Sequence, residues 1–174
     1  PYSHADLIEV DTSMASALPG VVAVITGRDC QTPYGIVPIA QNEYPLAQDR
    51  VRYRGEPVAA VASVDEETAE PALVLIVIKA KELPAYYSAS DARAADAMLL
   101  HEDKPGNIER DVHNSFGDIE AGFKEADLVR ADTFHCAEVT HAPMEPHAAV
   151  AEYAPQRDNP TVHSVPQLPY YVHL

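Results

Sequence analysis

Glycine and cysteine are scarce in this chain, and each shortage argues against a class of protein. The 174 residues include only seven glycines and two cysteines. No glycines form the G-x-G-x-x-G or G-x-x-x-x-G-K-[ST] patterns that cradle phosphates, so the sequence predicts no nucleotide site of either kind. Two lone cysteines, Cys30 and Cys136, are too few for a disulfide framework. This cysteine usage favours a reducing, cytoplasmic setting.

Basic residues and long apolar runs are also few. Lysine and arginine number 12 against 27 acidic residues, which gives a formal charge of −15. A field of that sign repels phosphate backbones, so we expect no nucleic-acid partner. No apolar stretch approaches the roughly 20 residues of a membrane-spanning helix, so we expect a soluble protein without a membrane partner.

The two ends of the chain are unusual for a complete protein. The sequence begins at Pro1 without an initiator methionine, and it ends on the apolar run 170–174 without a polar tail. We therefore interpret the chain as part of a longer polypeptide.

Short strands and helices alternate along the sequence, which predicts an α+β fold. In the first strand the alternation of apolar and polar residues slips once. Strands are predicted at 5–11, 21–25, 51–53, 57–63, 75–81, 128–138, 148–153 and 161–165, with a further element starting near Tyr170.

Three helices are expected where polar residues can cap them. Thr12 or Ser13 caps a short helix that ends at Leu18, Asp65 caps one that begins at Glu66, and Asp118 caps one that ends at Ala126. Pro71 lies inside the second helix, where proline removes a backbone donor and clashes with the preceding turn. We therefore expect that helix to kink or restart at Pro71.

The segment 135–147 contains three histidines, one cysteine and two glutamates. The histidines are six residues apart, whereas structural zinc ligands usually come in pairs two to four residues apart, so no metal site is predicted. His135 and Cys136 are neighbours in a predicted strand and should point to opposite faces. We therefore interpret Cys136 as a buried structural cysteine.

Two segments of the first half resemble a known domain. The run 44–47 followed by 51–62, which includes Arg52-Tyr53-Arg54-Gly55-Glu56-Pro57, is similar to the a/b hammerhead domain of the xanthine dehydrogenase and aldehyde oxidase family. The opening residues 1–5 and the triplet 11–13 fit the same pattern. The resemblance implies a hammerhead domain at 1–88 that lacks its first strands.

The second half resembles the next domain of the same family. Residues 116–118 and 141–153 are similar to the entry into its molybdopterin-binding domain. This implies an interdomain linker at 89–114, which is polar and rich in alanine, and the start of that domain at 115–174. Within the family, segments 38–47 and 169–174 resemble the 4-hydroxybenzoyl-CoA reductase branch.

The resemblance implies an activity for the whole subunit rather than for this stretch alone. It implies reductive removal of the phenolic hydroxyl of 4-hydroxybenzoyl-CoA, which gives benzoyl-CoA. The alternatives are a family member that hydroxylates xanthine, an aldehyde or an N-heterocycle, and a stand-alone acidic binding module of hammerhead shape.

The resemblance also implies cofactors, partners and two site residues. Gln167, in Gln167-Leu168-Pro169, matches the family glutamine whose amide hydrogen-bonds an oxo ligand of molybdenum, and Glu145 lies in a segment near the cofactor. The implied cofactor is molybdopterin cytosine dinucleotide with molybdenum, and FAD, 2Fe-2S and 4Fe-4S centres lie on partner subunits of a dimer of heterotrimers. The family base and glycine-rich cofactor loop match no segment here, so we assign no catalytic residue or metal ligand and expect no cofactor on this stretch alone.

Overall fold

The computed structural model of the protein describes residues 1–35, 41–156 and 159–166. The chain divides into two compact units, Pro1–Asp111 and Val112–Leu174, which we call unit 1 and unit 2. Both combine helices with antiparallel strands. The mixed fold predicted from the sequence is therefore confirmed.

Unit 1 contains two small antiparallel sheets. One has the strand order β3-β1-β5 and the other pairs β2 with β4. The elements are β1 (Ala5–Asp11), α1 (Ser13–Ser16), β2 (Val21–Thr26), β3 (Arg50–Val51), β4 (Ala59–Ser63), α2 (Glu66–Val74), β5 (Val77–Glu82) and α3 (Ala89–Ala92), with 3-10 turns at Gly27–Asp29 and Pro105–Asn107.

The slip in the alternation of β1 corresponds to a bulge. Leu7 pairs with Ala80 and Glu9 pairs with Lys79, so Ile8 has no partner in the register. An extra residue of this kind disrupts the ladder locally and turns the following side chains to the other face. The two halves of β1 can therefore present their apolar residues to different neighbours.

The core of unit 1 consists of small side chains. Ala5, Ala47 and Val51 form its buried cluster, and Leu7 and Val58 pack against it. Close approach of the backbone is part of this packing, because a Cβ at Gly27 would collide with the carbonyl group of Ala47. Only glycine fits at that position.

Side-chain caps begin α2 and α3 of unit 1, but three details of the helices differ from expectation. Asp65 accepts the backbone N–H of Thr68 at 2.9 Å, as predicted. Thr12 makes no side-chain cap, and α1 ends at Ser16 rather than Leu18. Of the two outcomes expected at Pro71, a kink or a restart, the restart is wrong, because α2 runs through this residue as one helix. Burial of the adjacent Ala72 and the cap at Asp65 hold the helix on either side of the missing donor.

The stretch that follows β5 is folded against unit 1. Tyr87 donates its hydroxyl hydrogen to Ser3 Oγ at 3.0 Å, and the Tyr86 hydroxyl accepts the Met98 N–H at 2.9 Å. The side chain of Asn107 donates to the carbonyls of Ala92 and Met98 and accepts the N–H of Leu100. Residues 89–111 of the segment interpreted as a linker therefore lie within unit 1.

Unit 2 contains one helix and one hairpin in its described part. They are α4 (Ile119–Glu125), β6 (Ala149–Ala154) and β7 (Asn159–Ser164), and β6 pairs with β7. Asp118 caps α4 by accepting the Ala121 N–H at 3.0 Å, as predicted. The strand predicted at 128–138 is wrong. No described segment of unit 2 pairs with this stretch, and an extended segment becomes a strand only when a partner shares its backbone hydrogen bonds.

Candidate functional site

Glu145 lies in an exposed connection of unit 2. The residues from 127 to 148 contain no helix or strand, and Glu145 sits at a bend between α4 and β6. The neighbouring Met144 is fully exposed, and Ala142 has a φ of 44°. Within the described part of unit 2, Glu145 is therefore surrounded by solvent rather than by the walls of a pocket.

The histidine-rich segment does not assemble a metal centre within the described ranges. No group of three or more histidine, cysteine or acidic side chains is close enough there to hold an ion. Cys136 is exposed, so its interpretation as a buried cysteine is wrong. That interpretation depended on a strand at 128–138, and without the strand neither face of the segment is covered.

Gln167 lies outside the described residues, but the chain that leads to it is described. β6 and β7 pair in register from Ala149 with Ser164 to Ala154 with Asn159. Beyond the last pair, the N–H of Val165 donates to the carbonyl of Ala148 at 3.3 Å. This hydrogen bond therefore holds Val165, two residues before Gln167, at the open end of the hairpin.

Several carboxylates of unit 1 have lowered pKa values because they accept hydrogen bonds in turns. The pKa of Asp29 is lowered by the backbone N–H and then the hydroxyl of Thr26, and that of Asp65 by the hydroxyl and then the N–H of Thr68. The pKa of Tyr53 is raised, first by burial and then by the charge of Glu56. The two aspartates stabilise turns and helix ends, and nothing in their surroundings suggests catalysis.

A cavity of about 350 Å³ lies within unit 1. Charged and polar groups come from His4, Arg52, Arg54, Ser3 and Asn107, and tyrosines and aliphatic side chains form the rest. No sequence motif pointed to these residues, which span positions 3 to 107. One signal was present, because Arg52 and Arg54 are two of only 12 basic residues and stand two positions apart.

Comparison with known families places two domains on this chain. Residues 1–84 match the domain described as aldehyde oxidase and xanthine dehydrogenase, a/b hammerhead domain. Residues 100–174 match the molybdopterin cofactor-binding domain. The order hammerhead domain followed by the start of a molybdopterin-binding domain, expected from the resemblance, is confirmed.

Individual relatives extend this similarity. The chain is 40% identical over 152 residues to a probable xanthine dehydrogenase subunit of Bacillus subtilis, covering 86% of this chain and 20% of that protein. It is 34% identical to the nicotinate dehydrogenase large molybdopterin subunit of Eubacterium barkeri, covering 86% of this chain and 35% of that subunit. Among solved structures, quinoline 2-oxidoreductase from Pseudomonas putida 86 has a TM-score of 0.86 at 28% identity, covering 99% of this chain and 23% of that one.

The chain spans a fifth to about a third of the length of these curated relatives. Other relatives carry names of multi-subunit enzymes, such as the nicotine 6-hydroxylase large subunit and the carbon monoxide dehydrogenase large chain. No helix in the described ranges is long and apolar enough to cross a membrane.

Proposed function

We propose, since this chain belongs to the xanthine dehydrogenase and aldehyde oxidase family, that it forms part of the large subunit of a molybdenum-dependent hydroxylase. The observation that carries the proposal is the succession of two matched domains in one chain, at residues 1–84 and 100–174. A hammerhead domain alone would also be compatible with a stand-alone binding module. The second domain argues against that alternative, because it belongs to a cofactor-binding family.

The substrate class that we propose is an N-heterocycle. Xanthine, nicotinate and quinoline, which appear in the names of three similar proteins, are all aromatic nitrogen heterocycles. Hydroxylation of such a ring replaces a C–H bond by C–OH with oxygen from water, and it releases two electrons and two protons. The electrons must leave through redox centres, for which we propose iron-sulfur and FAD centres on partner subunits in the cytoplasm.

A second candidate is the reductive removal of the hydroxyl of 4-hydroxybenzoyl-CoA. The similarity of sequence segments 38–47 and 169–174 to that branch of the family supports it. This reaction consumes two electrons and two protons, breaks the ring C–OH bond and releases water. The two candidates therefore run in opposite redox directions, which makes them separable by assay.

For the cofactor we propose molybdopterin cytosine dinucleotide with molybdenum. We propose that this chain contacts the cofactor near its molybdenum atom. The neutral side-chain amide of Gln167 can donate an N–H to an oxo ligand without adding charge beside the metal. The described residues of unit 2 do not fit the phosphate end. Arg130 is paired with Asp132 at 3.1 Å, and the exposed carboxylate of Glu145 would repel phosphates. We therefore derive no reaction step through the cofactor from these residues.

Activity assays on the intact complex that contains this chain distinguish the two reactions. We expect oxidation of an N-heterocycle by an artificial electron acceptor, with one oxygen from H₂¹⁸O in the product. Consumption of reduced viologen with 4-hydroxybenzoyl-CoA, together with no oxidation of heterocycles or aldehydes, would instead establish the reductase. Neither activity in a complex that contains molybdenum would contradict both.

The proposed role of Gln167 has its own test. The substitution Gln167→Glu keeps the shape of the side chain but adds a charge, so we expect kcat to fall about tenfold or more while molybdenum content is retained. Gln156→Glu, at an exposed turn, is the matched control and should leave kcat unchanged. Equal effects of the two substitutions would remove Gln167 from the site.

A further inference from the structure

We propose that the cavity of unit 1 is a binding site for a small organic carboxylate with an aromatic or aliphatic body. The site lies beside the start of β1, the turn at 52–54 and the folded stretch 84–107. All of its lining residues belong to unit 1, whereas Glu145 and Gln167 belong to unit 2.

The charge of the cavity is opposite to that of the chain. Arg52 and Arg54 line it, and none of the described residues that line it is an aspartate or glutamate. The whole chain carries −15, so a wall with two guanidinium groups and no acid is a local exception. The nearby carboxylate of Glu56 accepts the backbone N–H of Arg52 and lines neighbouring cavities. An anion is therefore the complementary ligand.

Two buried nitrogens at this site have no partner within the described part of unit 1. One is Arg52 Nε and the other is His4 Nε2, on a residue that is only 2% exposed. When His4 is neutral, its Nδ1–H donates to the carbonyl of Pro84 at 2.6 Å, and Nε2 keeps its lone pair. A buried donor and a buried acceptor left unpaired are costly, and both belong to side chains that line the cavity.

Most of the remaining lining residues are apolar or aromatic, and hydrogen bonds hold them in place. Tyr86, Met98 and Leu100 are among these residues. The Tyr86 hydroxyl fixes the backbone of Met98, and the Asn107 side chain makes three hydrogen bonds of 2.7 to 3.0 Å that close the stretch from Ala92 to Asn107. A preformed apolar wall lowers the cost of binding.

The size of the cavity and its lining select among anions. A volume of about 350 Å³ is within the usual range for small-molecule sites. An inorganic anion would leave the tyrosine and methionine surfaces uncovered. A carboxylate attached to a ring or an alkyl chain can pair with arginine and bury apolar surface at the same time.

Binding of benzoate to the intact complex tests the proposal, with benzamide as the uncharged analogue. By equilibrium dialysis we expect saturable binding of benzoate that Arg54→Gln weakens about tenfold or more. The matched control Arg28→Gln removes an exposed arginine outside the cavity and should change binding less than about twofold. Benzamide should bind more weakly and show no dependence on Arg54.

A second variant keeps the charge and fills the space. Met98→Trp should abolish the Arg54-dependent binding of benzoate while the thermal unfolding of the complex stays close to that of the wild type. Absence of saturable benzoate binding up to about 10 mM would overturn the proposal. Binding that neither Arg54→Gln nor Met98→Trp alters would overturn it as well, because the benzoate would then occupy another site.

Discussion

Unit 1 and unit 2 differ in what holds them together. Unit 1 buries Ala5, Ala15 and Ala72 completely and Val51 almost completely. In the described part of unit 2 no side chain is buried, and Met144 is fully exposed. Unit 1 therefore draws its stability from its own side chains, whereas the described elements of unit 2 depend on local hydrogen bonds.

The strand pairing shows the same contrast. β1 and β5 of unit 1 join residues about 70 positions apart, such as Asp6 with Lys81, and Arg50 and Asp6 form an ion pair of 2.6 Å within the same sheet. The hairpin of unit 2 joins neighbours in sequence, from Ala154 with Asn159 outward. Non-local pairing requires loop closure, which only a buried core offsets. Substitutions should therefore affect folding in unit 1 far more than in unit 2.

Glycine substitutions should give the largest difference between the units. Gly27→Ala places a Cβ against the Ala47 carbonyl, and overpacking of this kind costs about 1–3 kcal/mol or more. Gly122→Ala meets nothing within 4 Å and lies inside α4, so it should stabilise that helix by about 0.5–1 kcal/mol. Hydrogen exchange resolved by mass spectrometry in the intact complex measures both. Equal protection of residues 1–111 in the two variants would contradict the contrast.

Truncation of a valine in each unit should give a smaller difference. Val51 is 5% exposed and Val150 is 65% exposed, and both lie in strands. We expect Val51→Ala to lower the free energy of unfolding by about 1–3 kcal/mol and Val150→Ala to change it by less than about 0.5 kcal/mol. Denaturant unfolding of the complex, followed by exchange in each unit, measures the two values. A larger loss at Val150 would show that unit 2 has a core of its own in the assembly.

Lowering the pH should have the smallest effect on stability. It acts by protonating a carboxylate that caps a helix of unit 1. The pKa of Asp65 is below its usual 3.8 because the Thr68 hydroxyl and N–H donate to the carboxylate. Its contribution to stability is fully present above the unfolded value and is lost as pH falls through the lower folded value. We expect α2 to exchange faster in that range, after correction for intrinsic rates. Asp65→Asn, which caps without titrating, should remove the pH dependence.

Local signals in the sequence predicted much of unit 1. The slip in the first strand corresponds to the bulge at Ile8, and Asp65 caps its helix as expected. The failures concern tertiary context. Pro71 is tolerated because the cap at Asp65 and packing of Ala72 hold the helix around it, and the 128–138 strand fails because no described strand pairs with it.

The candidate sites were predictable to different degrees. Glu145 and Gln167 come from a resemblance, and their roles stay predictions. The cavity of unit 1 was missed because His4, Arg52 and Asn107 meet only through tertiary packing. No spacing rule connects residues that far apart in the chain. Two arginines near each other in an acidic chain were the one available signal.

The most direct test of the central proposal is the metal content of the native complex that contains this chain. Elemental analysis by mass spectrometry, normalised to copies of this chain, should give close to one molybdenum atom per copy. Background molybdenum in a folded complex purified from cells supplied with molybdate would contradict the proposal that this chain belongs to the large subunit of a molybdenum enzyme.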